Sequence, residues 1–278
     1  MKVACIQMEV LPCRKKENLK KAFLLAEKAL EKGAEILVFP ELFSSGFCYE
    51  HFEELAESSP YPTLLELCQF SKTHDCVLIG SILEKAKTEW EYSSSKLLEK
   101  KSKKAFQPSN YYNLGFCLES GVLVGTYRKT HPFKKENLYF SKGSLIAPLS
   151  LRKRKLKIGL EICYELRFPE VSRKLVLDGA ELLVTIAAFP NPRKAHWENL
   201  VVARALENQI PHLACNRCGN GASSLSYFGA SLIVDALGNI KAEAGEKEAL
   251  ILQTLNLSQK EKVRAEIPIF KDRRQELY

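Results

Sequence analysis

An apolar run that ends abruptly at a cysteine constrains this chain more than any other feature. Residues 157–170 read KIGLEICYELRFPE, and a polar segment with a proline follows the cysteine. The apolar part has the length of a buried strand and predicts that a strand carries Cys163 to its end. Because α/β folds hold ligands at strand ends, Cys163 is a candidate nucleophile. A free cysteine is more often a packing residue, so this alternative stands unless the chain supplies chemical partners.

Two other apolar runs end in the same way, one at an acid and one at a base. LVFPELF at 37–43 places Glu41 after a strand, and VLVGTYRKTHPF at 122–133 places Lys129 after another. A nucleophilic thiol needs a lowered pKa or a neighbouring base, and acyl transfer needs a donor for the oxyanion. We therefore expect Glu41, Lys129 and a Cys163 of lowered pKa to meet. The alternative is a buried ion pair that orders loops, but such pairs stabilise poorly.

These segments resemble the nitrilase superfamily of carbon-nitrogen hydrolases, and within it the omega-amidases, which remove ammonia from 2-oxo-dicarboxylic acid monoamides. The resemblance runs from VACIQ at 3–7 to IPIFKDRRQELY at 267–278. It implies that residues 1–278 form one α/β domain, a four-layer α-β-β-α sandwich. It further implies pairing through helices of the outer layers, so that we expect a homodimer or a higher homo-oligomer.

The resemblance also implies a role for each site residue. Cys163 would attack an amide carbonyl and form a thioester, while the Lys129 ammonium and the Tyr164 backbone N–H would stabilise the oxyanion. Glu41 would accept the thiol proton, pass it to the leaving ammonia and then activate water. Glu136, in KKENLYF at 134–140, corresponds to a second glutamate that positions Lys129. A surface glutamate among lysines is the alternative for Glu136.

Substrate recognition is expected from residues near the cysteine. CYELRF at 163–168 resembles the family's Cys-Tyr-Asp-x-Arg-Phe, in which the arginine lies near the pocket, so Arg167 is predicted to hold a substrate carboxylate. Pairing of Arg167 with a nearby glutamate is the alternative. Glu165 replaces the more frequent aspartate and is longer by a methylene. Phe189 is predicted to form an apolar wall, and His196 to form hydrogen bonds at a helix start.

The cysteines and the lack of metal-binding and membrane-spanning motifs limit which cofactors and compartments are predicted. Nine cysteines without framework spacing favour reduced thiols and a cytoplasmic location. Cys215 and Cys218 have a C-x-x-C spacing, but no second pair or histidine cluster accompanies them, so neither a metal nor a cofactor is predicted. The chain enters an apolar strand at once and has no run of about 18 apolar residues, so neither export nor a membrane partner is predicted.

Charge favours a small anionic partner. The formal net charge is +8, which suits attraction of anionic small molecules. The basic runs at 96–104 and 152–155 lack interleaved aromatic residues, so nucleic acid is not predicted as a partner. The leading hypothesis is an amidase that acts on 2-oxoglutaramate or 2-oxosuccinamate. The alternatives are an N-carbamoyl amidase and a non-catalytic binding or scaffold protein on the same fold.

Hydrophobic periodicity predicts alternating strands and helices early in the chain and meandering strands late. Residues 85–110 are polar, basic and serine-rich, which predicts a surface excursion. The predicted strands are 3–8, 36–39, 76–83, 112–118, 122–127, 156–162, 180–186, 211–215, 231–234, 240–244 and 249–254. The predicted helices are 17–31, 62–73 and 195–208.

Overall fold

The computed structural model describes residues 1–86, 110–222 and 225–277, so most of the predicted excursion at 85–110 lies outside the described residues. The described chain forms two six-stranded sheets and one small two-stranded sheet. The strands are β1 (Lys2–Gln7), β2 (Ile36–Val38), β3 (Val77–Lys85), β4 (Tyr111–Glu119), β5 (Val122–Arg128), β6 (Leu149–Leu151), β7 (Leu156–Ile162), β8 (Leu182–Ala187), β9 (His212–Asn216), β10 (Cys218–Asn220), β11 (Ser226–Phe228), β12 (Leu232–Val234), β13 (Ile240–Glu243) and β14 (Ala249–Thr254). The helices are α1 (Lys15–Glu31), α2 (Phe52–Leu55), α3 (Pro62–His74), α4 (Pro169–Leu177), α5 (Lys194–Asn208), α6 (Gln259–Glu266) and α7 (Ile269–Asp272).

The first large sheet has the order β14-β1-β2-β3-β4-β5, and the second has the order β13-β12-β9-β8-β7-β6. Within them β1, β2 and β3 run parallel, as do β7, β8 and β9. The sheets pack face to face, with α1 and α3 against the first and α4 and α5 against the second. The predicted four-layer α-β-β-α sandwich is therefore confirmed.

Strand β1 shows why the central strands read as continuous apolar runs. Val3 and Cys5 point into the core between the sheets, whereas Ala4 and Ile6 point outward beneath α1 and α3. All four side chains are buried because helices cover the outer face. Successive side chains of β1 therefore pack alternately into the core between the sheets and into the core between the first sheet and its helices.

The predicted elements match the observed ones to within about two residues at most ends. Helix α1 ends before Gly33, whose φ of 81° is the left-handed conformation predicted there. The patterns missed three short strands and four helices, which are β6, β10, β11, α2, α4, α6 and α7. The missed strands, α2 and α7 have only three or four residues, which are too few to show a period. Helices α4 and α6 have nine and eight residues, and α4 begins at the proline of the polar segment that follows the cysteine.

The expectation of reduced thiols throughout is wrong for one pair. Cys13 and Cys48 form a disulfide between Cα atoms 5.5 Å apart, and the other seven cysteines are free. The fold brings the pair together because the Cys13 N–H donates to Ser45 O at 3.0 Å, which joins the loop after β1 to the loop after Glu41. A separation of 35 residues with no framework spacing gave no sign of this contact.

A buried polar network links the cysteine strand, β7, to its sheet neighbours β8 and β9 and to helices α4 and α5. Glu161, on β7, has no exposed surface and accepts a hydrogen bond from Ser172 Oγ of α4 at 2.6 Å. Its other oxygen lies 2.6 Å from Thr185 Oγ1 on β8, which lies 2.7 Å from His212 Nε2 on β9. His212 Nδ1 lies 3.1 Å from Val201 O on α5.

The positions of the protons in this network follow from its geometry together with the neutral state of His212, whose pKa is lowered by burial. Val201 O can only accept, so His212 Nδ1 carries a proton, and Nε2 of a neutral imidazole must then accept from Thr185. The single Thr185 proton is thereby used, so the short contact with Glu161 requires a proton on that carboxyl. Burial raises the pKa of Glu161 from 4.5 to about 7 and lowers the pKa of His212 to about 3. Both pKa shifts favour a protonated Glu161 beside a neutral His212.

We predict that Glu161→Gln preserves the fold and weakens the pH dependence of stability. Because the folded pKa exceeds the unfolded one, the stabilisation present below pH 4.5 is lost as the pH rises to about 7, by about 3 kcal/mol in all. Glutamine is neutral at every pH and can still donate to Thr185. Chemical denaturation of both proteins at pH 5 and pH 7.5, with Glu170→Gln as the surface control, measures the difference. Equal pH dependence in wild type and Glu161→Gln would contradict the assignment of a neutral acid.

Candidate active site

A cavity of about 300 Å³ opens where β2, β5, β7 and β8 end. Most of its wall is apolar or aromatic, with several cations and one carboxylate among the lining side chains. The lining residues are Pro12, Phe47, Tyr49, Phe133, Lys134, Lys135, Glu136, Cys163, Tyr164, Arg167, Ala188, Phe189, Pro190, Arg193, Arg217, Ala222, Leu225 and Tyr227. Such a concave, largely apolar site with a few convergent polar groups is typical of a small-molecule pocket.

Lys129 lies between two carboxylates, one of which, Glu136, lines this cavity. Its side chain is 1% exposed, and Nζ donates to Glu41 Oε1 at 2.7 Å and to Glu136 Oε2 at 2.8 Å. Burial alone would lower the pKa of Lys129, but Glu136 and Glu41 raise it well above its usual value. The ammonium is therefore permanently charged. Glu136 is buried as well, so the alternative of a surface glutamate is wrong, whereas its neighbours Lys134 and Lys135 are exposed.

Glu41 is held by three donors that come from distant parts of the chain. Oε1 accepts from Lys129 Nζ and from Asn113 Nδ2 at 2.8 Å, and Oε2 accepts from the Ala188 N–H at 2.9 Å. Asn113 belongs to β4, and its carbonyl also accepts the Lys129 N–H at 3.0 Å. Asn113 was not among the predicted site residues, although a lone amide in an apolar strand is a signal for such a role.

Cys163 stands at the point where β7 becomes a short 3-10 helix. Its φ of 53° is left-handed, an uncommon conformation for a residue with a side chain and one that concentrates at functional sites. Burial raises the pKa of the Cys163 thiol well above its usual value, and the negative charge of Glu41 adds to this, while Lys129 opposes it. The expected lowered pKa is therefore wrong. Desolvation outweighs the ammonium, so the resting sulfur is a thiol beside a carboxylate.

Glu165 connects the cysteine turn to the lysine loop. Its Oε1 accepts from Tyr127 OH at 2.7 Å and from both the N–H and the hydroxyl of Thr130 at 2.6 Å, and its Oε2 accepts from the Ile162 N–H at 2.7 Å. Burial would raise the pKa of Glu165, but these hydrogen bonds and one from His131 lower it. The carboxylate stays ionised and reaches its donors despite the extra methylene.

The predicted recognition residues also line the cavity. Tyr164 packs between Phe133 and Phe168, with ring centroids 4.7 and 5.1 Å apart. The Arg167 guanidinium lies 5.1 Å from the centre of the Phe189 ring, which is itself buried. Among the described residues no carboxylate pairs with Arg167, so its predicted alternative role in a glutamate pair is not supported.

His196 lies in the first turn of α5, as expected. Its Nδ1 is 3.3 Å from Arg167 Nη2, so it contacts the pocket arginine as well as belonging to the helix start. The sequence analysis also missed Arg217, which follows β9 and lines the same cavity. Its signal was a lone arginine directly after an apolar strand, the same signal that singled out Lys129.

Three described side chains could in principle meet at one metal ion. Ligand atoms of Cys13, Cys48 and His51 lie within 4.8 Å of one another. The two sulfurs are joined as a disulfide, however, and only thiolates are strong metal ligands. Cys215 of the C-x-x-C segment instead donates to Val38 O at 3.2 Å inside the core.

Comparison with known proteins identifies the family and agrees with the architecture. The sequence model described as "Carbon-nitrogen hydrolase" matches residues 2–265. The 2-oxoglutaramate amidase of Bacillus subtilis is 33% identical over 278 residues, covering 99% of this chain and 98% of that protein. The deaminated glutathione amidase of Rattus norvegicus is 32% identical over 288 residues, covering 99% of this chain and 83% of that protein.

A solved structure agrees as well. Nit3 of Saccharomyces cerevisiae, a member of branch 10 of the nitrilase superfamily, superposes with a TM-score of 0.83 at 28% identity, covering 99% of this chain and 96% of that one. In the described parts of this chain, no helix combines the length and apolar character needed to cross a lipid bilayer.

We predict that Glu165→Gln impairs the site as well as the fold. A glutamine offers one oxygen, so its NH₂ group must face donors that the carboxylate accepted, at a cost of about 2 kcal/mol. The resulting shift of the cysteine turn should lower kcat by about 10–100-fold. The matched control is Glu119→Gln, because buried Glu119 accepts the N–H groups of Lys153 and Arg154 at 3.0 Å far from the cavity.

Thermal unfolding and amide turnover of the two variants distinguish a loss of stability from a shift of the cysteine turn. Both variants should lose stability, and only Glu165→Gln should lose turnover. Normal turnover in a folded Glu165→Gln protein would show that Glu165 is not a positioning residue.

Proposed function

Because the chain belongs to the carbon-nitrogen hydrolase family, we propose that it hydrolyses small carboxylated amides to a carboxylic acid and ammonia, with 2-oxoglutaramate or 2-oxosuccinamate as substrate. The observation that carries this proposal is the buried Lys129 ammonium, held by Glu41 and by Glu136, which lines the same cavity as Cys163. The relative in Bacillus subtilis, a 2-oxoglutaramate amidase matched over nearly its full length, supports this substrate.

In the proposed first half-reaction, the Cys163 sulfur attacks the amide carbon while Glu41 accepts the thiol proton. The raised pKa of the thiol supports a proton transfer that accompanies attack, because a free thiolate would be costly in this site. The carbonyl oxygen becomes an oxyanion that accepts from Lys129 Nζ and the Tyr164 N–H. The C–N bond then breaks as Glu41 returns the proton to nitrogen, and ammonia leaves a thioester behind.

In the second half-reaction, water attacks the thioester carbon and gives its proton to Glu41. The same oxyanion forms again, the C–S bond breaks, and the proton returns to sulfur. Glu41 suits both steps because three donors fix its carboxylate in one orientation. Glu136 keeps Lys129 oriented, and its pKa is raised to about 7, mainly by burial.

We expect the purified protein to release ammonia from 2-oxoglutaramate faster than from glutamine, a carbamoyl amine or a simple nitrile. Cys163→Ala should abolish this release, and Lys129→Met should lower kcat by about 10²–10³-fold because one oxyanion donor is lost. Cys76→Ala is the matched control, since Cys76 is a buried free cysteine far from the cavity. Ammonia release is followed with a coupled glutamate dehydrogenase assay.

The same assay tests the alternatives. Fastest turnover of the carbamoyl amine would assign the protein to the N-carbamoyl amidases. No turnover of any of these compounds by folded protein would support the non-catalytic scaffold.

We predict that Arg167→Gln raises KM for 2-oxoglutaramate by about 10–100-fold and changes KM for an uncharged amide such as butyramide much less. Arg167 lines the cavity, and no carboxylate of the described residues pairs with it, so its charge is available to the substrate carboxylate. Arg154→Gln is the control, because Arg154 pairs with Glu119 at a distance from the cavity. Equal effects on both amides would remove Arg167 from substrate recognition.

We also propose a homodimer or higher homo-oligomer and a cytoplasmic location. Leu177 at the end of α4 and Leu206 on α5 are about half exposed, which supports an outer-layer contact. Seven free cysteines support a reducing compartment, although the Cys13–Cys48 disulfide is unusual there. We also propose that residues 1–278 form one carbon-nitrogen hydrolase domain. Sedimentation of the full chain tests the oligomeric state.

A further inference from the structure

Three side chains that can ligate a metal meet outside the group of proposed reacting residues. Ligand atoms of Cys13, Cys48 and His51 lie within 4.8 Å of one another, and no other His, Cys, Asp or Glu trio among the described residues is this close. Around a tetrahedral zinc ion, with Zn–S of about 2.3 Å and Zn–N of about 2.0 Å, ligand atoms lie about 3.5–3.8 Å apart. Once the S–S bond is broken, small side-chain rotations would therefore bring the three atoms onto one ion.

Backbone contacts hold the three ligands together in addition to the disulfide. Cys48 immediately precedes a short 3-10 helix, and the His51 N–H donates to Cys48 O at 3.1 Å. On the other segment, the Cys13 N–H donates to Ser45 O at 3.0 Å. The buried amide of Asn18 donates to carbonyl groups of both segments. The ligands therefore stay within reach of one another when the disulfide is reduced.

His51 has the surroundings of a metal ligand. Its Nδ1 lies 3.3 Å from Glu54 Oε2, and a carboxylate in this position orients an imidazole and makes it a stronger ligand. A neutral ring that donates from Nδ1 keeps the lone pair of Nε2 for an ion. Cys48 is buried, but Cys13 and His51 are not, so a reductant and an ion can reach the cluster.

We propose that the reduced protein binds one zinc ion through the Cys13 and Cys48 thiolates and a His51 ring nitrogen, and that the disulfide is the oxidised form of this site. A thiol or phosphine reductant supplies two electrons, the S–S bond breaks, and two protons from water or the reductant give two thiols. Zinc then displaces both thiol protons. In the reverse direction, a low-molecular-weight disulfide accepts the two electrons and the ion leaves. Thiolates and imidazole are the ligands that zinc prefers.

The ion would take over a structural task from the disulfide. Cys13 directly follows Pro12, and Cys48 lies between Phe47 and Tyr49, and these three neighbours line the cavity. In a reducing compartment, zinc would therefore link the two segments that carry this part of the wall. Neither cysteine belongs to the C-x-x-C segment, and 35 residues separate them, so sequence spacing did not predict this site.

The test measures zinc binding by protein that has been reduced with a phosphine and then freed of reductant without oxygen. In competition with a chromophoric chelator, reduced wild type should bind one zinc ion per chain tightly, and the disulfide form should lack this site. Cys48→Ser and His51→Gln each remove a ligand and should weaken binding by at least about 100-fold. Glu54→Gln keeps the ligands and should weaken it by about 10-fold.

Two controls and a second metal locate the ion. Cys163→Ala removes the proposed nucleophile and Cys68→Ser removes the least buried of the free cysteines, and both variants should retain the zinc affinity of wild type. Co²⁺ in place of zinc should give the visible bands of a tetrahedral site and a thiolate-to-metal charge-transfer band. Cys48→Ser should weaken the charge-transfer band.

Several outcomes would overturn the inference, and none of them depends on amide hydrolysis, so the proposed function would stand. They are equal zinc affinity of the oxidised and reduced proteins, unchanged affinity in Cys48→Ser, loss of binding in Cys163→Ala, and a disulfide that stays intact in folded protein under the phosphine. If Cys48→Ser does not fold, the exposed His51→Gln decides. Zinc should raise the Tm of reduced wild type and not that of His51→Gln, and equal shifts would contradict the site.

Discussion

The rest of the structure depends on the ion pairs of the buried Lys129 ammonium, whose side chain is 1% exposed. Removing such an ion from water costs several kcal/mol unless its partners are well placed. Glu41 and Glu136 supply that placement at 2.7 and 2.8 Å, and each comes from a different segment of the chain. The cluster therefore forms only when the first sheet and the loop after β5 are correctly assembled, so that assembly of the fold and assembly of the site are one event.

The charges in this cluster do not balance, and the imbalance determines the chemistry. Two carboxylates face one ammonium, and burial, with the charge of Glu41 adding to it, raises the pKa of Glu136 to about 7 and keeps the thiol of Cys163 protonated. A thiolate would add a further negative charge that Lys129 alone cannot compensate. In the proposed reaction, the new negative charge arrives with the substrate, because the oxyanion would accept a hydrogen bond from the Lys129 ammonium. In this proposal, the Lys129 ammonium stabilises the transition state more than it stabilises the resting enzyme. Such a difference is what accelerates a reaction.

Local patterns predicted the strands and the polar residues that follow them, because an apolar run with a charged end is a local signal. Glu41, Lys129 and Cys163 were identified in this way, and so was most of the sandwich. Asn113 and Glu165 were not assigned roles, because their importance lies in partners 72 and 35 residues away. The direction of the Cys163 pKa shift was also mispredicted, since the sequence shows which charges meet but not how completely water is excluded.

Different segments of the chain carry the proposed reacting groups and the arginines that line the pocket. The reacting groups lie at the ends of β2, β5 and β7, where neighbouring strands fix them, whereas the pocket arginines follow the cysteine turn and β9. Arg167 is partly exposed at the end of the cysteine turn, so its substitution should disturb the buried cluster less than substitution of the buried Arg217. Arg167 and Arg217 stack on different aromatic rings, which gives each an independent orientation. A fold of this kind can keep one hydrolytic reaction and vary the anions that it accepts, because different residues perform the two tasks.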